Sequence, residues 1–115
     1  MNLDELKKVR CKEIDLRTSE LIEEGFVFDG RTFSMSINAQ INWSNFPNLP
    51  EYVFPLVVID KNDESYSLSL NNKLNFYLSA LSFKNSKLQT GGALKIQINN
   101  CSDEESVLAV IDDRN

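Results

Sequence analysis

The sequence predicts an α+β fold: an N-terminal helix, two short β-hairpins forming a small antiparallel sheet, and C-terminal helices packed on it. Three observations lead there. Apolar residues recur at helical spacing through residues 3–24. Two turn signals, Asp29-Gly30 and "DKND" at 60–63, each follow a short run rich in aromatic or β-branched residues. Helical spacing then returns after Ser69. At 115 residues the chain has the length of a single domain, 1–115, with one core.

In the first helix Leu3, Cys11, Ile14, Leu21 and Ile22 fall near one stripe, interrupted by Lys7 and Thr18. Gly25 stands where a glycine ends a helix and turns the chain. Asp29-Gly30 then calls for a type I′ turn, which needs positive φ at both central residues. A two-residue loop sets Phe28 opposite Arg31, Val27 opposite Thr32 and Phe26 opposite Phe33. Phe26, Phe28 and Phe33 share one face, which Met35 extends. A lone two-stranded ribbon is marginal in water, so this aromatic face has to pack on a helix or on another chain.

Ser36 is placed to cap a short helix from Ile37 to Asn45, with Ile37 and Ile41 four apart and Trp43 on the adjacent face. Pro47 ends it. Prolines 47, 50 and 55 predict an extended loop, because each X-Pro step disfavours helix. Leu56–Ile59 and the alternating "SYSLS" predict the second hairpin. Ser69 then caps a helix whose stripe is Leu70, Leu74, Tyr77, Leu78 and Leu81, with Leu88 continuing it. Gly91-Gly92 predicts a break or hinge. "ALKIQINN" is ambiguous: Leu94, Ile96 and Ile98 alternate like a strand, while Leu94, Ile98 and Cys101 fit a helix. "SDEE" at 102–105 has the Ser-x-x-Glu form of a capping box, opening a last helix with Val107, Leu108 and Ile111.

Composition limits the chemistry. Hydrophobic and charged fractions of 42% and 25% are those of a globular chain and argue against wholesale disorder. A net charge of −5 argues against a surface that neutralises phosphates, so no nucleic-acid partner is expected. The one basic cluster, Lys7 to Lys12, reads as a solvated helix face. Cys11 and Cys101 form no disulfide framework and read as buried free thiols. The charged N-terminus has no apolar signal core, and no run approaches the roughly 18–20 apolar residues of a membrane span.

The chain has no histidine. That removes Ser-His-Asp and Cys-His nucleophilic catalysis and the commonest zinc sites. "DKNDE", Asp60 to Glu64, begins like a calcium loop but has Ser65 where glycine is needed and Asn71 where glutamate is needed. It reads as a hairpin turn. "TGGALK" lacks the spacing of a phosphate-binding loop. The pairs Glu23-Glu24 and Asp112-Asp113 are sequence neighbours, which point to different sides of a helix and make no acid–base pair. The expectation is therefore a non-enzymatic protein with no catalytic, metal or cofactor residues. The candidate contact surface is Phe46, Leu49, Tyr52, Val53 and Phe54. Aromatics on a proline-limited loop lose little entropy on docking.

The order of these signals resembles a phage and prophage family known as domain of unknown function 4376. Gly25, Phe26, Phe28, Gly30 and Phe33 match its aromatic hairpin, and Asn38, Gln40 and Ile41 its next helix. Ser69, Leu70, Leu74 and Leu78 match its leucine-rich helix. Leu94, Lys95, Ile98, Ser102 and Glu105 match its closing segment. The likeness runs from about residue 10 onward, with departures at Val57-Val58-Ile59, where a tryptophan is usual, and in the proline-rich 46–55 segment. It favours helix for "ALKIQINN". It implies a bacteriophage virion structural or adaptor protein, tail-associated, made in the bacterial host cytoplasm. Implied partners are other virion proteins (tail, fibre or portal-proximal) in a homo- or hetero-oligomer, with no membrane. The alternative is a tail or tail-fibre assembly chaperone not retained in the virion. A small enzyme using carboxylates or Cys101, and a regulatory or host-takeover binder, are the remaining rivals.

Overall fold

A computed structural model describes residues 1–115. The fold is α+β. Its elements are α1 (Leu3–Glu23), β1 (Phe26–Phe28), β2 (Arg31–Phe33), α2 (Ile37–Ser44), β3 (Leu56–Ile59), β4 (Ser65–Leu68), α3 (Lys73–Asn99) and α4 (Glu104–Ala109). Two compact units result: Ile22–Lys84, and Met1–Leu21 with Asn85–Asn115. The long helices α1 and α3 contribute residues to both.

In the unit Ile22–Lys84 the first hairpin forms as the turn chemistry demands. Asp29 and Gly30 have φ of 50° and 72°, and β1 pairs β2 antiparallel with Phe26 opposite Phe33 and Phe28 opposite Arg31. Gly25, at φ 98°, donates its N–H to the Ile22 carbonyl and ends α1. β3 and β4 pair with Leu56 opposite Leu68 and Ile59 opposite Ser65. The two hairpins are separate two-stranded sheets and not one continuous sheet. A single backbone bond, from the Lys61 N–H to the Thr32 carbonyl at 2.8 Å, links them, joined by side-chain bonds from Arg31 to the Ser65 carbonyl and from the Tyr66 hydroxyl to Asp29.

The core of this unit is aromatic. Phe26, Phe33, Trp43, Phe46 and Phe76 are buried together with Met35, Val58 and Leu68. The aromatic face of the first hairpin packs on α3, where the Phe76 ring lies 5.2 Å from Phe26 and 5.0 Å from Phe33. Ser36 caps α2 by accepting the Ala39 N–H, and Ala39 and Trp43 form its buried face. The isoleucines of α2 lie on the other side, with Ile37 and Ile41 exposed. Residues 46–54 are not simply extended. They form two 3-10 turns, Phe46–Asn48 and Glu51–Val53. Proline's φ suits the opening of such turns, so Pro47 and Pro50 start them as readily as they stop a helix.

Ser69 accepts the Asn72 N–H and opens a 3-10 turn, Leu70–Asn72, that leads into α3. The leucine stripe faces outward: Leu70, Leu74, Leu78, Leu81 and Leu88 are all exposed. Phe76 and Ala80 are buried instead. They sit half a turn round from Leu74 and Leu78, so α3 carries apolar residues on two opposite faces.

In the other unit Ile14, Ile98, Val107 and Val110 form the core, with Leu3, Leu6, Cys11, Leu94 and Cys101 packed on it. "ALKIQINN" is helical. α3 runs without a break through Gly91 and Gly92. Ile98 is buried, while Ile96, in register with it on the strand reading, is exposed. The cap of α4 is Asp103, one residue later than the Ser102 of the capping-box reading; its carboxylate accepts the Ser106 N–H. α4 stops at Ala109, leaving Leu108 and Ile111 exposed and Val107 and Val110 inside. Cys11 and Cys101 are free and half-buried, not fully enclosed. The basic cluster has local work: Lys7 donates to the Asn99 carbonyl and Arg10 to that of Val110.

Gly91 is needed for close approach. A Cβ there would lie 2.5 Å from the Thr18 hydroxyl oxygen and 2.9 Å from an Arg114 guanidinium nitrogen. Thr18 is buried on the α1 stripe, donates to the Ile14 carbonyl and accepts from Arg114. Gly92 faces open space. Gly91→Ala should therefore lose roughly 1–2 kcal/mol, the overpacking penalty less the helix-propensity gain, whereas Gly92→Ala should gain roughly 0.5–1 kcal/mol. Urea denaturation of both variants checks this, and a stabilised Gly91→Ala protein would contradict the close-approach account.

Candidate protein-interaction surface

The five residues singled out in the proline-limited segment have unlike fates. Phe46 is 5% exposed, its ring stacked on Phe76 at 5.4 Å. Leu49 and Phe54 are half-buried against the same core. Val53 is half-buried too. Lys73 ties this segment down, donating to the Leu49 carbonyl at 3.0 Å with its ammonium 5.6 Å from the Phe54 ring centre. Tyr52 alone presents its whole side chain outward, at 86% exposure. Phe46 goes inside because it follows Trp43 by three residues and so continues the buried face of α2.

The larger apolar surface of this unit lies on helices. Leu74 is 56% exposed, and Leu78 and Leu81 lie on the same face of α3. A small groove of about 100 Å³ runs where α2 meets α3, with Trp43, Met35 and Ala80 in its lining. Gln40, Ser44, Tyr77, Leu81 and Lys84 complete it. Ile37 and Ile41 stand exposed on α2. Both helices thus turn apolar residues outward although the aromatic core beneath is built from their other faces. Exposed apolar helix faces of this kind are candidate contact surfaces. The competing stripe Phe76, Ala80 and Phe83 has the same i, i+4, i+7 spacing and was the signal in the sequence for the buried side.

The "DKNDE" segment is a hairpin turn. Asp60 is buried, and its carboxylate accepts the N–H groups of Asn62 (2.8 Å) and Glu64 (3.1 Å), with the Arg31 guanidinium at 3.4 Å. Its Oδ1 is directed at the turn's own backbone and its Oδ2 at Arg31. The Glu64 N–H, and after it the Asn62 N–H and the Arg31 charge, hold the Asp60 carboxyl below its ordinary value of 3.8, against the opposing effect of burial. A lowered folded pKa stabilises the fold above the unfolded value, and that stabilisation is lost as pH falls through the folded one. Stability should therefore drop on acidification below pH 3.8, and Asp60→Asn should flatten the drop. Thermal melts across pH 2–7 read this out; identical acid profiles for the two proteins would exclude it.

Comparison of the chain with protein families, with curated proteins and with solved structures finds no match.

Proposed function

We propose that this chain is a non-enzymatic structural or adaptor protein of a bacteriophage particle, tail-associated, acting by docking on other virion proteins in an oligomeric assembly. The observation that carries the docking part is the second apolar face of α3, exposed at Leu74, Leu78 and Leu81, together with the exposed isoleucines of α2. An apolar helix face left outside a finished core suits burial against a partner helix. The virion context rests on the order of the aromatic hairpin, the leucine-rich helix and the closing segment. Tyr52 supplies an exposed aromatic anchor on the same unit.

Mass spectrometry of purified particles from a phage that carries this chain tests the context. The protein is expected in the particle in stoichiometric amount. Presence in infected cells together with absence from particles would replace this reading with an assembly chaperone. Leu74→Lys with Leu81→Lys tests the surface. Both residues are exposed, so the melting temperature should change little, while incorporation falls sharply. Unchanged incorporation would remove α3 as the docking face.

A further inference from the structure

A different part of the unit Ile22–Lys84, the outer edge of β3, is unpaired at Val57 and Ile59. β3 has one neighbour, β4. The bond from the Asp60 N–H to the Glu64 carbonyl sets the parity of the ladder. The backbone groups of Leu56 and Val58 therefore face Leu68 and Tyr66, and those of Val57 and Ile59 point away from β4. No backbone group of the chain bonds them. Their side chains are outward as well, 62% and 51% exposed.

Edges of this kind are normally guarded by lysine, proline or a bulge. Leu56–Ile59 contains none of these. A groove of about 410 Å³ lies alongside, between β3 and the residues Asn42, Asn45, Phe46 and Leu49. The asparagine side chains make no hydrogen bond within the chain and are exposed, leaving their amides for an incoming strand.

We infer that this edge pairs with the same edge of a second copy, antiparallel about a two-fold axis at Val58, making a continuous four-stranded β4-β3-β3-β4 sheet. The hydrogen-bonding groups select that register. Centred on Val58, Val57 faces the partner's Ile59 and Ile59 faces the partner's Val57. All four outward N–H groups then find outward carbonyls. Centring on Val57 would set Ile59 opposite proline 55, which has no N–H. Centring on Ile59 would set Val57 opposite Lys61, whose N–H is already given to Thr32. The free edge is thus two residues long, closed at both ends and complementary to itself. β-Branched Val57 and Ile59 become cross-strand neighbours, the side-chain pairing that sheets favour. This dimer is independent of the virion reading.

Sedimentation velocity over a wide concentration range, with amide hydrogen exchange, tests it on the full chain. A dimer is expected in which the Val57 and Ile59 amides exchange slowly when concentrated and fast when diluted. Val57→Pro removes an N–H that the hairpin does not use, a position where strands tolerate proline. It should weaken dimerisation by about tenfold or more, through two lost bonds and two orphaned carbonyls. Ile59→Lys, which places a charge on the edge and leaves the backbone unchanged, should do the same. Leu74→Lys with Leu81→Lys should leave the dimer intact, which separates this edge from the α3 surface. A protein monomeric at every concentration overturns the proposal, including the case where the edge takes an unrelated peptide. So does a dimer with fast-exchanging Val57 and Ile59 amides, or one unmoved by both edge variants.

Discussion

Phe76→Ala is expected to destabilise the protein by about 3–5 kcal/mol, the range for emptying a large aromatic site in a core. Phe76 is fully buried, and five rings surround it: Phe26, Phe28, Phe33, Trp43 and Phe46, all with centroids within 5.4 Å. Those five come from both strands of the first hairpin, from α2 and from the turn after α2. No single neighbour can move to fill the space without leaving its own contacts, so the cavity persists. Leu78→Ala, two residues on, is the matched control and should change stability by under about 0.5 kcal/mol, because Leu78 lies on the exposed face. Equilibrium urea denaturation compares them. Equal losses, or a larger loss at Leu78, would mean that α3 packs by its leucine stripe after all. Should Phe76→Ala fail to fold, Phe76→Leu keeps the comparison, with a smaller loss in the same direction.

Gly25→Ala should have the second largest effect, roughly 2–5 kcal/mol, from two additive causes. Its φ of 98° lies where side chains are strained, and a Cβ there would collide with the Phe33 carbonyl oxygen. Phe33 is the last residue of β2 and fully buried, so its backbone cannot retreat without moving the aromatic cluster. Gly30→Ala isolates the first cause. Gly30 also has positive φ, 72°, but open space around it, and should lose only about 1–2 kcal/mol. Melting temperatures should rank wild type, then Gly30→Ala, then Gly25→Ala. If the two alanine variants melt together, the approach of β2 to the end of α1 is not what requires glycine at 25.

The legible parts of this fold are those whose cause lies within a few residues. Asp29-Gly30 sets positive φ, which sets the loop length, which sets the pairing of Phe26 with Phe33. Ser36 and Ser69 cap because a hydroxyl reaches an N–H three residues on. The candidate interaction surface was less legible. Phe46 belongs to the core and Tyr52 does not, a difference set by how the turn after α2 is directed.

Local chemistry settled most of the elements and the register of the first hairpin, because helix caps and tight turns act over one to five residues; it placed the cap of α4 one residue early and missed the turns of 46–54 and the continuity of α3 through Gly91 and Gly92. Tertiary structure decided which side of each element is inside. α3 carries Phe76 and Ala80 on one face and Leu74 and Leu78 on the opposite one, and helical periodicity weighs the two alike. Only the rings brought by the first hairpin, α2 and the following turn make the phenylalanine side the better-packed one. Gly91 follows the same rule. In sequence it resembles its neighbour Gly92, and only the approach of Thr18 and Arg114, residues far away along the chain, turns a helix-weakening glycine into a packing requirement.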